Sequence, residues 1–543
     1  MGAYLSRRNL LRAGAGVAAA AGLAGCGDGG PAARAGDNAK VRLPDHVPYK
    51  GVAADLPATD KGVLAGYFHY PEHPRPAAPD GPPAKGPSIR VMTITYNPVP
   101  PPAGKNPMWR RLNETLGTDL EFEISPATDY AQKFPLTIAG GQLPDGMLVL
   151  PTAAAQSQMM PALFEDLSPH LSGPAVRAYP YLANIPAKSW ADSVIAGGLY
   201  GLPMPRLNSG SAMMYRADIF AKKGVDPHPG SFREFFRLCT DVSDPKHAKY
   251  AIGDPLFALY FVLEMVGGAN LWREKGGRFT YWVEELDLLH RALDAMRQLV
   301  KAGAVHPDGF TIAGNAKTKD WFGTGQTAVN YDGITGWNNY LDQYGATDPD
   351  FAIDAMVAPG FDGGPGTHWA GLSSFAMLCL KKAPRQRIEQ LLRAFDLMAA
   401  PFGTDHYLLR KYGVPGHDFH WKGHDPLLTP EGVLDIGLPT GFTTDAPQSI
   451  YYPKNTDAVR KQYAFQQRAT AVLVPNSAEG LYSETDVTLG GAAVELLREG
   501  PIKGYMRGST DWGELRDAVR DWRRKVGDKA RAEFEKAYED LHA

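Results

Sequence analysis

Apolar and polar positions alternate along the chain in a pattern of short strands and amphipathic helices that begins near residue 88. Residues 89–96 are rich in β-branched side chains, residues 119–124 alternate polar with apolar, and residues 146–150 are almost uniformly apolar. Between them, residues 106–117 open with Asn-Pro and close with Gly, and residues 129–139 form a weaker helical pattern. This order predicts an α/β protein with parallel strands joined by crossover helices.

The later part of the chain continues the pattern. Residues 281–303 predict a long amphipathic helix, because apolar side chains recur every three or four positions before a glycine. Residues 326–331 and 375–380 predict strands, and residues 385–399 predict another amphipathic helix. The charged C-terminal stretch 512–542 also predicts helix, and no internal repeat of fixed period is present.

The first 25 residues have the layout of an export signal. Arg7 and Arg8 lie in a segment similar to the twin-arginine motif, and the apolar stretch 13–24 leads to the sequence Leu-Ala-Gly-Cys, which resembles a bacterial lipobox. We therefore predict that residues 1–25 are removed and that Cys26 is lipidated. This modification would anchor the protein to the membrane on the extracellular face of the cytoplasmic membrane.

Residues 26–87 are rich in Pro, Gly, Ala and Asp, which is typical of a semi-stiff tether. Tyr67, Phe68 and Tyr70 are too apolar for a pure linker, so part of this segment is expected to pack on the body of the protein.

Composition excludes several classes of protein. The chain has 543 residues, of which 44% are hydrophobic, so it can bury a large core and fits two lobes better than one. Its net charge of −3 argues against nucleic-acid binding. Three cysteines exclude a disulfide scaffold, and the pairing of Cys239 with Cys379 stays open. Beyond residue 25, no apolar run has the ~18 residues of a membrane span.

A series of short motifs occurs in a fixed order behind the lipobox. The motifs are residues 106–117, 139–145, 199–203, 212–220, 279–281, 321–328, 412–416 and 502–515. Together they resemble the extracellular solute-binding proteins of ABC importers, family 1, and within that family the long lipoprotein subgroup for complex-carbohydrate uptake. Two positions depart from the commonest family pattern, with Gly140 in place of Ser and Arg216 in place of Asn or Asp.

The resemblance implies an α/β, two-lobed, periplasmic-binding-protein-like (Venus-flytrap) fold with three hinge crossings. We place these crossings near residues 203–211, 331–336 and 367–373. The first lobe would then comprise residues 88–205 plus 335–368. The second would comprise residues 210–332 plus 372–543, including the C-terminal helices.

The resemblance also implies a monomeric binding protein that captures a carbohydrate, most simply an oligosaccharide, and delivers it to the membrane subunits of an ABC permease. A sugar site needs aromatic faces, amides, carboxylates and arginines, and the predicted strand ends and crossings supply them. The candidate ligand-binding residues are Tyr96, Asn97, Arg206, Asn208, Tyr331, Asp332, Trp337, Asn338 and Trp369. Among these we expect Trp337 to be an aromatic anchor whose replacement by Ala costs roughly 2 kcal/mol of affinity or more.

Two other functions remain open from the residues alone. One is a secreted carbohydrate-active enzyme, a glycosidase or lyase, and the other is the same fold binding a peptide or another polar solute. The sequence contains no G-x-S-x-G, P-loop or H-E-x-x-H motif, and we predict no catalytic residues and no cofactor. His417, His420 and His424 are closely spaced, and residues 241–245 resemble a fragment of a calcium loop, but neither pattern is complete enough to predict a metal.

Overall fold

The computed structural model describes residues 35–311, 316–345, 348–453 and 455–542. The predicted export signal and Cys26 lie outside the described residues. The helices of seven residues or more are Pro107–Leu116, Ala127–Gly140, Gln156–Leu163, Ala217–Lys223, Phe232–Val242, Pro255–Val266, Leu286–Lys301, Ala316–Gly323, Gly336–Tyr344, Arg385–Met398, Asp405–Tyr412, Thr456–Thr470, Gly491–Leu497, Trp512–Trp522 and Asp528–His542.

A five-stranded mixed sheet organises the first lobe. Its strands, in spatial order, are Leu120–Pro126, Ile89–Thr95, Gly146–Val149, Ser374–Leu380 and Gly201–Pro205. The first three strands are parallel, as predicted, and Ser374–Leu380 runs antiparallel to its two neighbours. Helices Pro107–Leu116 and Arg385–Met398 bury their apolar faces against the core of this lobe.

A four-stranded sheet organises the second lobe. Its strands, in spatial order, are Ile353–Met356, Ser211–Arg216, Thr327–Gly333 and Tyr250–Ile252. One core contains helices Pro255–Val266 and Leu286–Lys301 together with the C-terminal helices. A smaller core contains Trp337 and helix Thr456–Thr470.

The predicted lobe boundaries are wrong for two strands. Ile353–Met356 pairs with Ser211–Arg216 in the second lobe, whereas Ser374–Leu380 completes the middle of the first sheet. The apolar pattern of each strand reports that it is buried, but it carries no information about which sheet buries it. Consequently 335–356 belongs to the second lobe, and 374–398 belongs to the first.

One of the three predicted crossings is also wrong. The chain does pass between the lobes after Pro205 and again before Ser374. Near residues 331–336, however, it turns into helix Gly336–Tyr344 and stays in the second lobe. A later passage instead leads from Leu438, in the core of the first lobe, to helix Thr456–Thr470 in the second.

The described part of the predicted tether, from residue 35 to residue 87, packs on the body. Tyr70 is buried among aromatic rings, with Phe402 at a centroid distance of 4.9 Å, and its hydroxyl donates to the backbone oxygen of Thr404 at 2.8 Å. The short strand Gly66–Tyr67 pairs in parallel with Ile450–Tyr451. The packing expected from Tyr67 and Tyr70 is confirmed, and it extends well beyond them.

Most local predictions agree with the structure. Asn106 caps helix Pro107–Leu116 by accepting from the backbone N–H of Trp109, and Gly117 ends the helix in a left-handed conformation. Cys239 and Cys379 are unpaired thiols that lie in the cores of different lobes. Burial raises the pKa of both thiols far above the ordinary value.

Candidate ligand-binding site

Apart from Ser374–Leu380 and Ser211–Arg216, the strands of both sheets have their carboxyl ends at the edges that face the passages between the lobes. In the first sheet, the three parallel strands end at the edge where Ser374–Leu380 begins. In the second sheet, Thr327–Gly333 ends with Gly333 opposite Ser211, immediately after the first passage. Open α/β sheets bind ligands outside the carboxyl ends of their strands, so the space between these two edges is the candidate site.

Two chain segments, residues 206–210 and 368–374, run side by side between the lobes, and we call them the hinge pair. The backbone N–H of Arg206 donates to Ser373, and that of Gly371 donates to Asn208, at 3.0 and 2.9 Å. A methyl group on Gly371 would lie 2.5 Å from the Cα of Gly210, so the two backbones approach this closely only because both residues are glycines.

The first lobe presents an aromatic cluster beside the hinge pair. The ring of Phe375 lies 6.4 Å from that of Tyr96 and 5.6 Å from that of Phe442. The guanidinium of Arg206 stacks over Phe375 at 4.8 Å, and burial lowers the pKa of Arg206 although Asp445 opposes this effect. Tyr96 is 66% exposed, so its ring face is available to a ligand.

The second lobe presents a second aromatic cluster, arranged around a buried acid. The ring of Tyr260 lies 5.5 Å from Trp369 and 6.2 Å from Tyr331. Glu264 is wholly buried behind these rings and accepts from the backbone N–H of Trp369 at 2.8 Å and from the Tyr331 hydroxyl at 3.4 Å. Burial raises the pKa of Glu264 to about 8, which favours the protonated form of the carboxyl group at neutral pH.

A cavity of about 190 Å³ opens between the lobes next to the hinge pair. It is lined from the first lobe by Asp192 and Met377 and from the second by Asn476 and Tyr482. Burial raises the pKa of Asp192 to about 6.

Polar contacts tie the two lobes together beside this cavity. Glu479 of the second lobe forms a 2.7 Å ion pair with Lys188 of the first and accepts from the backbone N–H of Ser373 at 3.0 Å. The hydroxyl of Ser373 in turn donates to Asp192 of the first lobe at 3.0 Å. Ser373 therefore connects both lobes from its position in the hinge pair.

The structure brings several of the predicted residues to this site. Tyr96 and Arg206 belong to the first cluster, and Tyr331 and Trp369 belong to the second. Trp369 is buried, and its indole N–H donates to the backbone oxygen of Gly268 at 3.0 Å, so it shapes the cluster from behind. Asn208 lies in the hinge pair and accepts through its backbone oxygen. Asn97 is exposed next to Tyr96, with its backbone N–H bonded to the hydroxyl of Thr95.

Trp337 does not lie at an accessible surface, and the prediction that it stacks on a ligand is wrong. The residue starts a helix that packs under the second sheet, and its side chain is wholly buried with Ile334 and Tyr340. The periodicity that places an aromatic ring after a strand end fits a core position equally well.

Asp332 and Asn338 also have partners within the protein. Asp332 forms a 3.0 Å ion pair with Lys319 and accepts from the hydroxyl of Tyr340 at 2.8 Å. Asn338 donates to the backbone oxygen of Tyr451 and accepts from the side chain of Gln462. These bonds argue against a direct ligand contact for either residue.

The sequence patterns did not point to Phe375, Phe442, Tyr260 or Glu264. Glu264 has a visible signal, because it is the single charged residue in the apolar helix Pro255–Val266. Phe375 and Phe442 have none, since only the fold brings their rings together from positions 67 residues apart.

An α/β fold with two lobes, a paired hinge and a site between facing sheet edges is the architecture of a bacterial solute-binding protein. The family model described as bacterial extracellular solute-binding protein matches residues 110–403, and the chain belongs to this family. The family resemblance and the fold class predicted from the sequence are thereby confirmed. Within the described residues, no helix has both the length and the apolar character to cross a membrane.

Several proteins are similar over most of the chain. Lipoprotein LipO of Bacillus subtilis (strain 168) is 21% identical over 489 residues, covering 83% of this chain and 92% of LipO. An HMO-binding, ABC-transporter-associated solute-binding protein from Bifidobacterium longum infantis superposes with a TM-score of 0.62 at 14% identity, covering 84% and 99% of the two chains. The N-glycan transport solute-binding protein NgtS of Streptococcus pneumoniae superposes with a TM-score of 0.61 at 14% identity, with the same coverage of the two chains.

Proposed function

We propose that this protein is the lipid-anchored solute-binding component of an ABC importer and that it captures an oligosaccharide between its lobes. The observation that carries the proposal is the pair of aromatic clusters, one on each lobe, flanking the hinge pair. The N-glycan transport role of NgtS and the HMO binding of the Bifidobacterium protein support a carbohydrate as the solute.

The chemistry of the two clusters suits a sugar. Aromatic faces such as that of Tyr96 pack against the C–H surfaces of a pyranose ring, while Arg206 offers donors to its hydroxyl groups. A ligand that contacts both lobes favours the closed state by its difference in affinity for the closed and open forms. The permease would then recognise the closed surface, and no bond in the ligand is broken.

Glycan binding is tested with the detergent-solubilised lipoprotein. A thermal-shift screen of oligosaccharides and peptides identifies a ligand, titration calorimetry gives its affinity, and chromatography of the same mixture looks for products. We expect saturable binding of a glycan without turnover. Release of shortened glycans would instead establish an enzyme, and binding of peptides alone would overturn the assignment of the solute.

The residue-level test compares two exposed aromatic side chains. Tyr96→Ala should weaken glycan binding at least about fivefold, corresponding to roughly 1 kcal/mol, because it removes a stacking face. Trp421→Ala is the matched control, since Trp421 is also partly exposed but lies on the hairpin strand Phe419–Lys422 rather than beside the hinge pair. Equal effects of the two substitutions would contradict the proposed site.

The lipid anchor is tested separately. The name of LipO supports a lipoprotein, and the Leu-Ala-Gly-Cys sequence supports cleavage before Cys26. Mass spectrometry of the native protein should find a lipid-modified N-terminal Cys26. An intact Met1 or a free Cys26 thiol would contradict the anchor without affecting the proposed ligand site.

A further inference from the structure

Three potential metal ligands converge in the first lobe at the base of a β-hairpin formed by Phe419–Lys422 and Asp425–Leu428. They are a ring nitrogen of His417 and one carboxylate oxygen each of Asp418 and Asp435, and all three atoms lie within 4.8 Å of one another. Nδ1 of His417 is 2.7 Å from Oδ1 of Asp418 and 3.9 Å from Oδ2 of Asp435.

The local fold explains why Asp418 and Asp435, 17 positions apart in the sequence, meet here. The backbone N–H of Thr429 donates to the backbone oxygen of Asp418, and the Thr429 hydroxyl caps helix Pro430–Asp435. Gly432 then passes so close that a methyl group on it would lie 1.8 Å from the Asp418 oxygen. Asp435 follows three residues later on the same helix face, which aims its carboxylate at Asp418.

Asp435 supplies a second, independent observation. Its side chain is almost completely buried, and no N–H or O–H group among the described residues donates to its Oδ2 atom. The carboxylate of Asp418 is within hydrogen-bonding reach of Asp435. The other oxygen of Asp418 is already used, because it accepts from the backbone N–H of Val414 at 2.6 Å. Two buried carboxylates that face each other repel unless a cation or a shared proton lies between them, since burial of unpaired charge is costly.

Among the described residues, the protonated imidazole of His417 is the side-chain cation that contacts the two carboxylates, and it lies closer to Asp418 than to Asp435. Arg110 is close enough to influence Asp435, but its guanidinium donates to the backbone oxygens of Ala103 and Gly104. Glu431 adds a further negative charge near His417. The balance of charge around the three donor atoms is therefore negative.

We propose that His417, Asp418 and Asp435 bind a divalent transition-metal ion, for which Zn²⁺ is the best match. One imidazole nitrogen and two carboxylate oxygens form a donor set that zinc accepts, whereas calcium prefers oxygen ligands throughout. The metal would replace the proton shared between His417 and Asp418. Tetrahedral zinc holds its ligand atoms about 3.3 Å apart, and half-exposed His417 can swing outward to reach this spacing.

The site differs from the histidine cluster visible in the sequence. His420 and His424 are exposed on the hairpin and are not part of the donor group, and two aspartates take their place. A bound ion would fasten helix Pro430–Asp435 to the hairpin base. That helix already meets the first lobe through Asn106, whose side-chain amide donates to the backbone oxygen of Asp435 at 3.0 Å.

The test is a Zn²⁺ titration of the full chain after removal of metals with a chelator. Calorimetry should show one saturable site, and Zn²⁺ should raise the Tm, because a ligand that binds only the folded state stabilises it. His417→Gln and Asp435→Asn should each weaken binding at least tenfold. His424→Gln, a histidine on the same hairpin outside the donor group, should leave the affinity within twofold.

His417→Gln keeps the test decisive even if Asp435→Asn fails to fold, because His417 is half-exposed and its replacement leaves the buried carboxylates in place. Crystals soaked with Zn²⁺ should show anomalous scattering between His417 and Asp435. The proposal is overturned if the wild-type protein does not bind Zn²⁺ saturably, if Ca²⁺ binds in its place, or if His424→Gln abolishes binding while His417→Gln does not.

Discussion

The backbone N–H of Trp369 donates to the carboxyl group of Glu264 at 2.8 Å, so a wholly buried acid binds one of the two segments of the hinge pair. The neighbouring His368 places Nδ1 at 3.6 Å from the same oxygen, and burial lowers the pKa of His368. The second oxygen of Glu264 has no hydrogen-bond partner, which suits a protonated acid better than an ion. We therefore expect the hinge to respond to the protonation of Glu264.

We predict that the protein loses stability as the pH rises from about 5 to 8 and that Glu264→Gln reduces this loss. The pKa of Glu264 is about 8 in the folded protein and lies near its ordinary value when unfolded, so the folded state binds more protons in this window. The free energy of unfolding should fall by up to about 1.4 kcal/mol per pH unit in this window. The stabilising contribution of protonated Glu264 is fully present below the pKa of the unfolded state.

Urea unfolding of wild type and Glu264→Gln between pH 5 and 9 gives the free energy of unfolding of each protein at each pH. Glutamine keeps an acceptor for the Trp369 N–H and carries no charge. The stability of the variant relative to wild type should therefore increase as the pH rises. Glu114→Gln is a control, because the Glu114 carboxylate is exposed and pairs with Arg111 inside one helix of the first lobe. Parallel pH profiles for wild type and Glu264→Gln would refute a buried proton on Glu264.

Trp337→Ala should destabilise the fold rather than remove a ligand contact. The indole is wholly buried, and replacing such a side chain by Ala typically costs about 3–5 kcal/mol. Chemical unfolding gives the stability, and calorimetry at a temperature where the variant is folded gives the glycan affinity. Unchanged stability with a large loss of affinity would restore the role that the sequence suggested.

Glu479→Ala should favour separation of the lobes. The substitution removes the acceptor of the Ser373 N–H and the partner of Lys188, and a hydrogen bond to a charged group contributes about 1.5–3 kcal/mol. Most of the effect should come from the Ser373 bond, because half-exposed Lys188 forms an ion pair that solvent screens.

Small-angle scattering or single-molecule fluorescence transfer between labels on the two lobes follows this change. Glu114→Ala is the matched control, because Glu114 pairs with Arg111 inside one helix of the first lobe. Glu479→Gln retains an acceptor and should behave more like wild type than Glu479→Ala. Identical distributions for Glu479→Ala and Glu114→Ala would exclude a role in holding the lobes.

Tyr70→Ala should destabilise the protein by about 3–5 kcal/mol, although Tyr70 lies in a segment with the composition of a tether. Tyr70→Phe removes only the hydroxyl bond to Thr404 and should cost about 1 kcal/mol. Thermal and urea unfolding compare the two variants. A negligible effect of Tyr70→Ala would mean that residues 35–87 act as a spacer after all.

Several local features could be predicted because neighbouring residues decide them. Asn106, Pro107 and Gly117 fix both ends of one helix, since a cap and a left-handed turn depend on side chains within a few positions. The alternation in Leu120–Pro126 and the apolar run in Ser374–Leu380 likewise mark strands wherever they are placed. The aromatic residues near the strand ends, Tyr96 and Trp369, follow from the same local reasoning.

By itself, the sequence determined the α/β class, the strand and helix segments, the family resemblance and some of the aromatic residues that lie beside the hinge pair. Only the tertiary structure decided which sheet receives Ile353–Met356 and Ser374–Leu380, that Trp337 is a core residue, and that His417 meets two aspartates. The physical reason is that periodicity reports whether a side chain is buried, whereas its partners depend on contacts between distant segments. Composition predicted a tether for residues 26–87 for the same reason, because the surfaces that receive its aromatic rings lie more than 300 residues away.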